Sequence, residues 1–304
     1  METPLPSRIH IEPVGRGCGS KMSGMGTPAP ALMSFAAYCR LLEQFPASSE
    51  IELCAPVDPL LHPRFFDMVR HAVAQGLRVS ARSTLLSLSD RAAEDCVKSG
   101  LFRLQAALEP PRPRLANEIR VAVPFSRALR NVARLVATKR RLASAAPRIE
   151  LLEVATRSKL AQLPELVRLA RQHGADSVCV IDIVESAPAT GLMRGFVESE
   201  SLRGEEPAVL ERAFAEARAA AETLEIGLQL PNLQARSRCR RPWQGAYINV
   251  GGQATPCAMS QAPIGDMARD GVARVWNGDA LGAFRARLAS DDPPSPCKGC
   301  PLYQ

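Results

Sequence analysis

Residues 50–81 read EIELCAPVDPLLHPRFFDMVRHAVAQGLRVSA. The run Glu50–Cys54 has the short apolar alternation of a strand. Pro63–Gln75 carries the apolar spacing of an amphipathic helix, and Gly76 stands just past its end as a stop signal. Leu77–Ala81 then reads as a second strand. Two strands joined by a helix are parallel neighbours, because a parallel pair needs a long crossover. The same unit recurs along the chain. Arg8–Glu12, Phe102–Ala107, Ile149–Ala155 and Ser177–Ile183 read as strands. Ala31–Phe45, Ser89–Lys98, Phe125–Ala143 and Pro164–His173 read as helices, with Gly100 and Gly174 as further stops. A last helix, Ala208–Leu224, leads to a short strand, Gly227–Leu230. About six such units are too few for a closed eight-stranded barrel. The expectation is an α/β fold, an open partial (βα)6 barrel. Its site should lie where the loops converge at the C-terminal strand ends.

The whole chain has 304 residues, 46% hydrophobic and 23% charged, which is ordinary globular composition and excludes a disordered or fibrous protein. A prior of roughly 150 residues per domain suggests about two domains. No apolar stretch is long enough for a membrane span, and METPLPSRIHIEP lacks the pattern of a secretory signal. A cytoplasmic setting is therefore expected. The net charge is +7, almost all of the excess being arginine. Arg127, Arg130, Arg134 and Arg141 share a face of the helix Phe125–Ala143, opposite an apolar stripe of Phe125, Leu129, Val132 and Val136. No aromatic residues interleave with these arginines, so a base-stacking surface for nucleic acid is not expected.

Composition changes after Leu230. From Arg236 the chain turns rich in Gly, Pro and Cys, with little helical periodicity, which puts the expected domains at 1–235 and 236–304. Such a tail would struggle to fold on a core alone, and a bound metal offsets that deficit. Four of the nine cysteines lie here: Cys239, Cys257, Cys297 and Cys300. The last two form a C-x-x-C, able to grip one metal from a tight turn. Four thiolates suit either one [4Fe–4S] cluster or a tetrahedral zinc, and spacing alone does not choose. Cys39, Cys54, Cys96 and Cys179 fall within predicted strands and helices and read as small core residues.

The tail resembles the SPASM or twitch domain of radical S-adenosylmethionine (SAM) enzymes. The matching residues are Cys239-x-x-Pro242-Trp243, Ile248–Gly252, Pro256-Cys257, Ile264-Gly265, Val275-Trp276-Asn277, Arg285 and Cys297-x-x-Cys300. The resemblance implies an auxiliary [4Fe–4S] cluster on those cysteines. Cys257-Ala258 stands where many relatives have adjacent cysteines, which limits the tail to one cluster. Residues 8–230 resemble the radical SAM core, through Ile11-Glu12-Pro13, Asp58-Pro59-Leu60-Leu61-His62-Pro63 and Pro164-Glu165-Leu166. That family binds a second cluster and S-adenosylmethionine through a C-x-x-x-C-x-x-C loop. Here the loop reads Cys18-Gly-Ser-Lys-Met22-Ser-Gly-Met25. Only Cys18 survives as a thiolate, and a thioether is a weak ligand beside it. The family's Gly-Glu-Pro, which holds the ammonium group, becomes Val57-Asp58-Pro59. Ala107-Leu108-Glu109 and Arg82-Ser83-Thr84 also depart from the family pattern.

Three functions follow as expectations. The first is an iron–sulfur protein whose adenosyl-radical site has degenerated, acting as partner, scaffold or electron-transfer component in a biosynthetic or peptide-modification pathway, with an intact radical SAM enzyme or a peptide substrate as its partner. The second is an active radical SAM enzyme with unusual ligation. The third is a zinc-stapled binding protein presenting the arginine face. No general acid/base constellation stands out: His10, His62, His71 and His173 are scattered, and Asp176, Asp182 and Glu185 look like ordinary strand-end acids.

Overall fold

The computed structural model describes residues 4–15, 30–47, 49–54, 57–108, 122–186, 193–233, 239–260, 262–298, 300 and 303. For residues 122–124, 185–186, 193–194 and 296 it describes the backbone alone. Cys18, Met22, Met25 and Glu109 lie outside the described residues.

The expected alternation is present. Strands β1 (Arg8–Ile11), β4 (Glu50–Leu53), β5 (Arg78–Ser83), β6 (Arg103–Ala107), β7 (Arg148–Ala155), β8 (Ser177–Asp182) and β9 (Gly227–Gln229) lie side by side in chain order, all parallel. The crossover helices are α1 (Phe35–Leu42), α2 (Phe65–Ala74), α3 (Asp90–Lys98), α4 (Ala122–Arg141), α5 (Leu163–Gln172) and α8 (Pro207–Thr223). Short helices α6 (Ile183–Ser186) and α7 (Met193–Glu200) precede α8. The helices pack in pairs, α1 on α2, α3 on α4 and α5 on α8. This is the partial barrel read from the sequence.

Local chemistry sets the element ends. Ser34 caps α1 by accepting from the Ala37 amide, so that helix starts four residues later than its apolar pattern suggests. The residues ahead of it, β3 (Ala31–Leu32), pair instead with β2 (Val14–Gly15) in a separate two-stranded sheet. Ser89 caps α3 in the same way. Gly76, Gly100 and Gly174 follow α2, α3 and α5 at positive φ, where the stop signals were read.

Strand alternation sorts the two faces. Ile9, Ile11, Ile51, Leu53, Val79, Ala81, Leu104 and Ala106 are fully buried among the helices. Each large aliphatic of this set contributes roughly 1.5–3 kcal/mol on burial. The alternate positions, His10, Glu52, Arg82 and Gln105, face the concave side. On α4, Leu129, Val132 and Val136 are buried as expected. Arg134 and Arg141 on its polar side are engaged by Asp90 and Glu94 of α3. Half of the proposed arginine face is thus spent on intramolecular pairs.

The sheet does not end at β1. Strand β10 (Gly245–Ile248) pairs parallel with its free edge, Arg8 opposite Gly245 and Ile11 opposite Ile248. Antiparallel strands β11 (Gln253–Thr255) and β12 (Gly265–Asp266) complete a ten-stranded sheet. Four helices accompany them: α9 (Arg241–Gln244), α10 (Met267–Asp270), α11 (Val272–Trp276) and α12 (Asp279–Ala289). The periodicity of the 11-residue α12 is hidden because its buried stripe is Leu281, Arg285 and Leu288. An arginine in the middle of a buried stripe defeats an apolar pattern.

The β10–β11 turn depends on Gly252. Asn249 Oδ1 accepts from the amides of Gly251 and Gln253, and Gly252 lies at φ +88°. A Cβ there would stand 2.5 Å from the Ala268 Cβ. Gly252→Ala should lower stability by about 1–3 kcal/mol in denaturant melts. Gly251→Ala, with no backbone atom or positive φ in its way, should change it little.

Candidate functional site

Two groups of functional side chains are built on this sheet. The first is in the tail. Cys239, Cys257, Cys297 and Cys300 line one cavity, walled by Pro242, Met259, Phe284 and Leu288. Cys257 follows β11, and its carbonyl accepts from Thr255 Oγ1 and the Ser260 amide. The backbone amides of Met259 and Ser260 favour its thiolate and pull its pKa down against the effect of burial. Cys297 ends the short turn Ser295–Cys297, and its carbonyl accepts from the Cys300 amide at 3.0 Å. That is the tight turn expected of the C-x-x-C.

The cavity is held from behind by Arg285. Its Nε donates to the Pro242 carbonyl at 2.9 Å and its Nη1 to the Trp276 carbonyl at 3.0 Å. The guanidinium lies 4.3 Å over the Trp276 ring. Trp276 Nε1 donates in turn to the Pro4 carbonyl. Arg285 therefore ties the Cys239 arm to α11, and Trp276 ties α11 to the chain's first described residues.

Burial pushes the Cys297 thiol up to about 12, and the neighbouring Cys257, Cys300 and Cys239 add to the rise. Burial also raises Cys257. Four crowded thiols in an apolar cavity do not ionise together unless a cation compensates them. Soft donors converging between apolar walls, with backbone amides that favour the thiolate, are the surroundings of a metal–thiolate centre. Among the described residues, no three of these sulfurs lie within 4.8 Å of one another.

The second group runs across the concave face in two registered rows. Tyr247, His10 and Glu52 are Cα partners on β10, β1 and β4. Tyr247 stacks on the His10 ring at 4.3 Å and 3°. His10 Nδ1 lies 3.0 Å from Glu52 Oε2. The other row is Arg82, Gln105, Glu150 and Ser177 on β5 to β8. Gln105 donates to Glu150 at 2.7 Å, and Ser177 donates to the other carboxylate oxygen at 3.1 Å. Arg82 joins the rows, reaching diagonally to Glu52 Oε1 at 3.1 Å and to Gln105 at 3.3 Å. Cys54, read from sequence as core, is half-buried beside His10 at 3.9 Å. The single-strand pattern could not reveal these rows, because each strand contributes only one or two polar residues.

The remaining candidates are accounted for locally. Asp58 Oδ2 accepts from Ser83 Oγ, the Thr84 amide and Thr84 Oγ1, and its Oδ1 from the Leu60 amide. It clamps the loop after β4 to the end of β5. His62 donates from Nε2 to the Met33 carbonyl and accepts at Nδ1 from the Arg64 amide, a structural role. Asp182 is fully buried and accepts from Ser201 Oγ, with Arg203 nearby. Asp176 accepts from the Ile149 amide and Lys139. The Glu185 side chain lies outside the described residues.

Burial alone would raise the Glu52 carboxyl, but the His10 hydrogen bond and the Arg82 charge outweigh it and hold it at about 2, against an ordinary 4.5. A depressed acid stabilises the fold above its unfolded pKa, and that contribution is lost as pH falls through the folded value. The stability advantage of the native protein over Glu52→Gln should therefore shrink between pH ~4.5 and ~2, by an amount of order 3 kcal/mol in acid-dependent denaturant melts.

Comparison with known proteins bears on the tail and on the fold. Residues 239–301 match the family model of SPASM, an iron–sulfur cluster-binding domain. No curated protein matches the chain. Streptococcus suis SuiB bound to precursor peptide SuiA is similar at a TM-score of 0.67 and 14% identity, over 98% of this chain and 70% of that one. SuiB bound to S-adenosylmethionine is similar at 0.65 and 14%, over 98% and 69%. The anSMEcpe protein with bound AdoMet and Cp18Cys peptide is similar at 0.65 and 10%, over 96% and 86%. At these identities the likeness is one of fold. Residues 239–301 thus match the SPASM iron–sulfur cluster-binding model, and the chain as a whole shares the fold of SuiB and anSMEcpe.

Proposed function

We propose that this chain is an iron–sulfur protein that carries one [4Fe–4S] cluster on Cys239, Cys257, Cys297 and Cys300. The observation that carries this reading is the convergence of four thiols, distant in sequence, on one apolar cavity. The match of residues 239–301 to an iron–sulfur cluster-binding domain favours iron over zinc as the occupant. When bound, the cluster would supply one-electron chemistry. The chain's own part is to hold it: the Met259 and Ser260 amides favour the Cys257 thiolate, Arg285 fixes the Cys239 arm, and the apolar walls exclude water.

The barrel half is proposed as residues 1–235, relieved of the usual adenosyl-radical chemistry. Met22 and Met25 stand in place of two thiolates. Asp58, the counterpart of the ammonium-binding acid, has both oxygens occupied within the chain. The protein would then act as a partner, scaffold or electron carrier in a peptide-modifying system. SuiB with SuiA and anSMEcpe with its peptide support a peptide as the kind of partner.

Anaerobic reconstitution with iron and sulfide should give a brown protein with about four irons per chain. The double variant Cys297→Ala, Cys300→Ala should lose them. About eight irons per chain, or 5′-deoxyadenosine released from S-adenosylmethionine under strong reductant, would overturn the degenerate-site reading. A colourless protein holding one zinc would overturn the cluster itself.

A further inference from the structure

The concave face carries a second convergence of ligand atoms, separate from the four cysteines. His10 Nδ1, a Glu52 carboxylate oxygen and Cys54 Sγ all lie within 4.8 Å of one another. Backbone geometry puts them there. Register sets His10 of β1 opposite Glu52 of β4. Cys54 follows two residues later on the same face of the chain, its amide bonded to the Ile11 carbonyl.

The arrangement is not a nucleophilic triad. In a Cys–His–carboxylate relay the two ring nitrogens face different partners. Here the same nitrogen, Nδ1, faces both Glu52 Oε2 at 3.0 Å and Cys54 Sγ at 3.9 Å. Three ligand atoms turned to one point suit a cation. Around a tetrahedral zinc with bonds of 2.0–2.3 Å, neighbouring ligand atoms stand about 3.3–3.8 Å apart. The two separations from His10 Nδ1, 3.0 and 3.9 Å, need to move by only a few tenths of an ångström. A nitrogen, an oxygen and a sulfur donor together match a borderline-soft ion.

The surroundings orient each ligand. Arg82 takes Glu52 Oε1, which leaves Oε2 turned to His10. Gln105 holds Arg82 in place. Tyr247, stacked on the imidazole, fixes the plane of its ring. Such outer partners set ligand direction in metal sites. The His10 and Glu52 side chains are each 20% exposed, so an ion can reach them.

We propose that His10, Glu52 and Cys54 form a mononuclear zinc site with a fourth coordination position open for water or a ligand oxygen on the concave face. An open position is the mark of a reactive rather than a stapling zinc. The inference stands apart from the cluster reading.

Cobalt(II) is the probe, added anaerobically to the full chain after cluster loading, so that the four tail cysteines are already occupied. One cobalt per chain should bind with thiolate charge-transfer and tetrahedral d–d bands, and zinc should displace it. Cys54→Ser should remove the charge-transfer band, and His10→Gln should weaken binding by about 10–100-fold. Circular dichroism on both variants checks that they fold. The Cys297→Ala, Cys300→Ala protein should keep the same cobalt spectrum, which separates this site from the cluster. Absence of cobalt binding by folded, cluster-loaded protein, or bands that survive Cys54→Ser, would overturn the assignment while leaving the four-cysteine centre untouched.

Discussion

The parallel pairing of β1 with β10 is the contact on which both sites depend. Strand β1 is bonded on one side to β4, its natural barrel neighbour, and on the other to a strand more than 230 residues later in the chain. Closing so long a loop is entropically unfavourable, though the penalty rises only slowly with length. Trp276 adds a second tie, through its bond to the Pro4 carbonyl. Together these contacts make the cysteine-rich tail an extension of the barrel sheet. They also put Tyr247 of β10 against His10 of β1, so the tail and the concave face share a wall.

That concave face is unusual for a packed sheet. Its helix-facing residues are aliphatic, while its inner rows carry a histidine, two glutamates, an arginine and a glutamine. Buried charge is expensive unless it is paired. Here the pairing follows the register, each polar residue bonding a partner on the next strand. Such a chain is satisfied as it stands, and it offers an incoming ligand both a carboxylate and a guanidinium. The depressed Glu52 is the electrostatic trace of that pairing.

In the tail, the motif residues divide by physical task. The cysteines line the cavity, Arg285 and Trp276 brace it, and Gly252 and Gly265 permit close approach of backbone to α10 and α11. The tail's sequence pattern is here a set of packing and hydrogen-bonding requirements around one cavity. The clamp made by Asp58 shows the reverse case. A residue whose place in the sequence suggests ligand binding spends both oxygens on Ser83, Thr84 and Leu60.

The sequence by itself determined the order of strands and crossover helices, and the glycine stops that end α2, α3 and α5. Those are local properties: periodicity, caps and breakers act within a turn or two. It also marked the four tail cysteines, because thiols in a Gly- and Pro-rich segment stand out by type. It missed α12, whose buried stripe runs through Arg285, and it took Cys54 for a core residue. It left His10, Glu52, Arg82 and Glu150 unremarkable. Only the tertiary structure brought these together, because their relation is register between strands tens of residues apart. Hydrogen bonds across a sheet decide which side chains meet, and a linear pattern holds no record of that pairing.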